Sequence, residues 1–208
     1  MKIIASWDDG TVADLKMAEL MQKYGIETTF YWPSSLSEGK NLAVIGSWLS
    51  EKQCKEISKS FKIGSHSITQ KPMRKMDVGQ ISREINDSKK YLQDLTGQEI
   101  DSFAYPKESY NNMIAALLKG AGYKTARTYI CGHIDPGPDA YHIQCTVQIG
   151  IDRIDYKNKS WEIFASEMHS KCKEDSVFHL FGNSWDVETY YDWNNLEDLL
   201  KLLTGKSQ

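Results

Sequence analysis

Two neighbouring carboxylates, Asp8 and Asp9, close the apolar run at the amino terminus, and Gly10 follows them. Carboxylates this close raise each other's pKa unless a cation sits between them or nearby. That points to a division of labour in which one ligates a metal and the other acts as a base. An ordinary Asp-Gly turn has the same letters, so the pair gains meaning only from what joins it. His66 follows a second apolar run that ends in Gly64-Ser65. Imidazole with carboxylate is common ligation for zinc and other transition metals. Two later runs end in Tyr105-Pro106 and in Asn183-Ser184-Trp185-Asp186.

Positioning these residues falls to short β-like runs that alternate with helical periodicity. Strands are expected over residues 2–6, 27–32, 61–65, 101–105, 124–128 and 177–182. Helices are expected over 13–24, from the Ser50 cap through Ile57, and over 78–95, 110–120, 160–173 and 195–203. Gly25 and Gly97 act as stop signals, and Pro33 and Pro106 end strands. Residues 34–48 read as a long loop, and 130–155 show no clear pattern beyond the turn cluster Asp135-Pro136-Gly137-Pro138. Strand–helix alternation implies parallel βαβ units, about six of them. An open doubly wound sheet and a small barrel both satisfy that count, in one domain over 1–208. In parallel α/β folds the chemistry gathers at the C-terminal strand ends. Asp8 and Asp9, His66 to Gln70, Tyr105-Pro106 and Asn183 to Asp186 all fall there.

Bulk properties exclude several classes. The chain has 208 residues, 25% charged and 40% hydrophobic, with a net charge of -3. It lacks the basic excess expected for nucleic-acid binding, and no apolar run is long enough to span a membrane. The chain enters its first strand at once, leaving no room for a signal peptide; a cytoplasmic protein, or an excised domain, is expected. Cys54, Cys131, Cys145 and Cys172 are scattered, which argues against a disulfide framework or a cysteine-ligated zinc.

Ser6-Trp7-Asp8-Asp9-Gly10 resembles the first motif of the polysaccharide deacetylases (the NodB homology domain, carbohydrate esterase family four). Gly64-Ser65-His66-Ser67-Ile68-Thr69-Gln70 resembles the family's His-Ser/Thr-x-x-His motif, and Phe103-Ala104-Tyr105-Pro106 its third motif. Thr29 to Pro33 and Ala121 to Arg127 resemble the second strand and a helix–strand junction. His179 to Asp186 is similar to the ending of a subgroup that includes the gellan-lyase-associated domain. The resemblance implies an incomplete (β/α) barrel of six to seven parallel strands. It also implies a metal-dependent hydrolase that removes acetyl groups from a sugar or polysaccharide through an amide or an ester bond. Asp8 would be the base, and Asp9 and His66 ligands of a divalent metal, with zinc the expected ion. Rim residues Tyr105, Pro106 and Trp185 would contact an acetylated carbohydrate. Trp7, Trp32 and Tyr190 are further aromatic candidates, with core packing the favoured role for Trp7 and Trp32.

Two positions depart from the pattern. Gln70 stands where the second histidine ligand is expected, and its neutral carbonyl is a weaker donor suited to harder ions. Asn183 stands where the general acid is expected, and an amide delivers no proton near neutrality. His179 lies four residues earlier on the same strand face, roughly 13 Å deeper, and reads as a core or supporting residue. These departures sustain a second reading, a degenerate member that binds carbohydrate with little turnover. A third is a phosphate-handling α/β domain, although the Asp that a phosphate receiver needs after its third strand is replaced by His66.

Overall fold

The protein is described as a computed structural model covering residues 1–35, 47–150, 153, 156–189 and 193–206. Most of the expected 34–48 loop, and Tyr190, lie outside the described residues. Strands β1 (Lys2–Asp8), β2 (Glu27–Trp32), β3 (Lys62–Ser65), β4 (Ser102–Ala104), β5 (Thr125–Arg127), β6 (Val147–Ile149) and β7 (Val177–Asn183) form one sheet. Its order is β5-β4-β3-β2-β1-β7-β6, and every pairing is parallel. Helices α1 (Ala13–Tyr24), α2 (Glu51–Ile57), α3 (Val78–Thr96), α4 (Asn112–Gly120), α5 (Trp161–Lys171), α6 (Ser184–Thr189) and α7 (Trp193–Thr204) accompany it. This is the expected incomplete (β/α) barrel.

Local chemistry explains most boundaries. Ser50 and Asp77 each form a reciprocal capping box with the glutamine three residues on, which starts α2 and α3. Gly25 and Gly97 end α1 and α3 in the left-handed conformation. β1 and β7 run two and one residues further than their apolar patterns, because Asp8 pairs in register with both Tyr31 and Asn183. β6 arises inside the unreadable 130–155 stretch. The segment before it crosses from β5 to β7: Ile143 bridges Arg127, and Thr146 N–H donates to the His179 carbonyl at 2.9 Å.

The core lies between the sheet and its helices. Trp7, Trp32, Phe30 and Phe103 are wholly buried, so Trp7 and Trp32 are packing residues. Among the described residues no helix is long and apolar enough to cross a membrane.

Gly64 on β3 lets the Tyr31 ring lie directly against the strand: an added Cβ would sit 2.3 Å from that ring. Gly64→Ala is therefore expected to destabilise the fold by about 1–3 kcal/mol, read as a lower midpoint in urea unfolding. An unchanged midpoint would show that the ring moves aside freely.

Candidate active site

The rim begins with a turn of unusual backbone. Asp9 and Gly10 both have positive φ, 83° and 75°, immediately after β1. Aspartate tolerates this region better than most residues. The turn lets Asp8 and Asp9, which would point to opposite faces of a strand, reach one cavity. Ser67 and Gln70 also have positive φ, 65° and 54°, so the loop after β3 folds back toward Asp9. Glu84 on α3 accepts from the Ile68 and Thr69 N–H groups at 2.8 and 2.9 Å and fixes that loop.

Asp8, Asp9, His66, Gln70, Asn183 and Trp185 line one cavity of about 330 Å³. Pro106 lines it too, beside Lys107, Tyr129 and Phe181. The Asp9 carboxylate is the hub. Its Oδ1 accepts from the Gln70 amide, and its Oδ2 from the Trp185 indole at 2.8 Å. Burial, and secondarily Asp8, push the Asp9 carboxyl above its usual range, against His66, Trp185 and Gln70. His66 Nδ1 lies 2.9 Å from the Ala104 carbonyl, which can only accept, so Nδ1 carries the proton. Its Nε2, which bears a lone pair in the neutral ring, lies 3.9 Å from Asp9 Oδ1. Two lone-pair donors this close favour a cation between them, and a carbonyl-anchored imidazole is the usual arrangement for a metal-binding histidine.

The donor set fits a divalent ion on two sides. Asp9 and His66 are conventional ligands. Gln70 is a third only after its amide turns by half a revolution, so that Oε1 replaces the Nε2 that now donates to Asp9. Among the described residues no three His, Cys, Asp or Glu converge as metal ligands.

Asp8 is held from the far side of the barrel. Arg127 on β5 is 1% exposed, and its Nη2 donates to both Asp8 oxygens. The guanidinium lies over the Phe181, Tyr31 and Tyr129 rings at 4.7, 5.3 and 5.6 Å. Although burial opposes its charge, the Asp8 carboxylate raises the Arg127 pKa above the ordinary value. Asn183 is the register neighbour of Asp8 and donates to Asp186 Oδ2 at 2.9 Å. Burial pushes the Asp186 carboxyl up to about 6. His179 is 6% exposed and hydrogen-bonds Ser6 Oγ at 3.0 Å; burial, with the Arg127 charge, lowers it to about 3. It is a neutral core histidine.

The structure places Tyr105 away from this cavity. Its ring is wholly buried, packed edge-on against Phe103 and Tyr110, and its hydroxyl donates to the Tyr141 carbonyl at 3.0 Å. It does not line the cavity, so stacking on a sugar there is closed to it. Arg127 is the main residue that sequence reasoning missed. An arginine at the end of a short expected strand was the available signal, since a buried cation needs a counter-charge.

Asp14 was also missed. It is fully buried on α1, and it accepts from the Trp32 indole at 3.0 Å and from Ser184, the neighbour of Asn183. Burial raises it from 3.8 to about 8 despite these donors. The folded state thus binds this proton more tightly than the unfolded chain. Its stabilisation is complete below 3.8 and is lost as pH rises through about 8. Asp14→Asn is expected to flatten that decline, measured as unfolding free energy between about pH 5 and 8. An equally steep decline in the variant would assign the pH dependence elsewhere.

The parallel barrel and its carboxylate–imidazole rim define an α/β protein with a strand-end polar site. Residues 2–126 match the family described as polysaccharide deacetylase, more than half of the chain, and the chain belongs to that family. A carbohydrate esterase of family 4 from Streptomyces lividans, solved with acetate, is similar in structure with a TM-score of 0.67 at 14% identity. The alignment covers 98% of this chain and 88% of that one. A family 4 pseudoenzyme from Bacillus anthracis aligns with a TM-score of 0.65 at 14% identity, over 98% of this chain and 60% of that one. The peptidoglycan deacetylase PdaC from Bacillus subtilis, a D285S mutant, aligns at 0.62 and 13%, over 98% and 83%. At such identities the likeness concerns the fold. The chain spans about three fifths of the length of the pseudoenzyme. No curated protein sequence matches it.

Proposed function

We propose that this chain is a hydrolase of acetyl groups on carbohydrate, with turnover limited by Gln70 and Asn183. The observation that carries the reading is His66 Nε2 lying 3.9 Å from Asp9 Oδ1, in a cavity that also holds Asp8. Family membership supplies the reaction class, and the pairing supplies a place for the ion on which it would depend.

Asp9 and His66 would hold a divalent ion, zinc or a harder one, with the Gln70 carbonyl as a weak third donor. Such an ion, when bound, polarises an acyl carbonyl as a Lewis acid. Arg127 fixes the rotamer of Asp8, so that this carboxylate is aimed into the cavity to take a proton from an attacking water. Trp185 holds Asp9 through its indole N–H and presents its ring to the same space. Pro106, beside it in the wall, offers an apolar surface for the sugar. Asn183, in register with Asp8, can hydrogen-bond an oxygen of the substrate but cannot protonate a departing amine. An acetyl ester, whose alkoxide leaves with less need of an acid, is therefore a better substrate than an acetamide.

A second reading has its own support. The Gln70 amide donates to Asp9 in the space where a second imidazole would face the ion, and a structural neighbour is described as a pseudoenzyme. On that reading the cavity binds acylated sugar without turning it over.

Zinc and cobalt titrations separate the two when followed by assays on acetylated chito-oligosaccharides and on acetyl esters of sugars. Gln70→His is expected to tighten metal binding about tenfold or more, because an imidazole replaces a neutral oxygen. Adding Asn183→His is expected to raise amide turnover by about 10²–10⁴, the usual worth of a general acid. A double variant that binds metal tightly yet stays inert on every acetylated sugar would refute the assignment of both positions.

A further inference from the structure

A second cavity, of about 280 Å³, adjoins the first, and Tyr129 contributes to the wall of both. The reaction proposed above uses none of its other residues. Arg74, Tyr110, His142 and Arg153 supply its chemistry. Two guanidiniums border this one small space, in a chain whose net charge is -3.

The aromatic part is ordered. The Tyr110 ring and the His142 imidazole lie 4.2 Å apart with planes tilted by 38°. Buried Tyr105 braces Tyr110 edge-on at 5.5 Å. The cationic part has one fixed and one open member. Arg153 Nη1 donates to Gln148 Oε1 at 2.7 Å, and Gln148 also lines the first cavity. Arg74 is exposed on the 3-10 turn Met73–Lys75, and no hydrogen bond or ion pair engages its guanidinium among the described residues. The nearby Asp139 carboxylate is turned to its own loop, accepting from the Tyr141 N–H at 2.8 Å.

Planar guanidinium forks take an oxyanion such as a carboxylate with two parallel hydrogen bonds, which a neutral hydroxyl cannot accept in the same way. Aromatic faces suit the apolar face of a sugar ring. The volume lies at the small end of ligand sites, enough for one ring rather than a chain. We propose that this cavity is a subsite for a carboxylate-bearing sugar residue adjacent to the acetylated one. Arg74 takes the carboxylate, with Arg153 in the same wall, and Tyr110 and His142 pack on the ring. The inference rests on the reading that acetylated carbohydrate occupies the first cavity. It adds that the glycan is acidic.

Calorimetric titration tests it with three probes of equal length: a neutral oligosaccharide, an oligouronide and a sulfated oligosaccharide. Arg74→Met keeps the apolar stem of an exposed side chain and removes the fork, and Arg74→Lys keeps only the charge. The wild type is expected to bind the oligouronide about tenfold more tightly than the neutral probe. Arg74→Met should erase most of that preference, and Arg74→Lys should restore only part of it. Asp9→Ala should leave the preference intact while removing any hydrolysis. Equal affinity for acidic and neutral probes, or a preference indifferent to Arg74→Met, would overturn the subsite. Tighter binding of the sulfated probe than of the oligouronide would overturn its assignment to a carboxylate. A wild type that hydrolyses nothing yet prefers the oligouronide supports the subsite and counts only against the hydrolase reading.

Discussion

The buried ion pair between Arg127 and Asp8 constrains both fold and site. Arg127 leaves β5 and Asp8 leaves β1, four places apart in the sheet. On a flat sheet with strands about 4.8 Å apart, those positions would be separated by about 19 Å, beyond the reach of an arginine. Contact between them requires the sheet to curl. The pair and the barrel therefore presuppose each other. Both partners are almost fully buried, so loss of either would strand a charge at a cost of about 3–5 kcal/mol. The guanidinium is further boxed by Tyr31, Tyr129 and Phe181, which hold its plane as well as its charge.

Around that pair the rim is built from polar groups that answer one another. Asp9 is met by an indole and an amide, Asp186 by Asn183, Asp14 by an indole and a hydroxyl. The donors to these carboxylates are neutral. Gln70 and Asn183 fit that pattern: each occupies a position where the family resemblance calls for a titratable ring, and each satisfies a carboxylate without charge. The family's fold is retained around this set of neutral donors.

Much of this was legible in the chain, and the omissions share a cause. The strand–helix alternation was visible because each long helix carries its own cap or stop, as Asp77 and Gly97 do for α3. Asp8, Asp9 and His66 were legible because apolar runs end at them and a parallel sheet brings such ends together. Arg127 was not, since its partner lies 119 residues away and β5 has only three residues. β6 was hidden for a similar reason: three residues carry no period, and their hydrogen bonds go to β7. α6 follows β7 with no intervening loop, so no turn signal announced it. Tyr105 shows the limit at a strand end, where one residue decides whether a ring faces the opening or the interior.

The segment that passes from Ile143 on β5 to Val147 on β7 has an effect beyond shaping the rim. β5 and β6 are the outermost strands, and unpaired outer strands are templates on which other chains can grow. Here one stretch of backbone occupies the outer side of β5 and then itself becomes β6, so the two flanks meet along a common seam. The outer side of β5 is thereby closed to strands from neighbouring chains by the chain's own backbone.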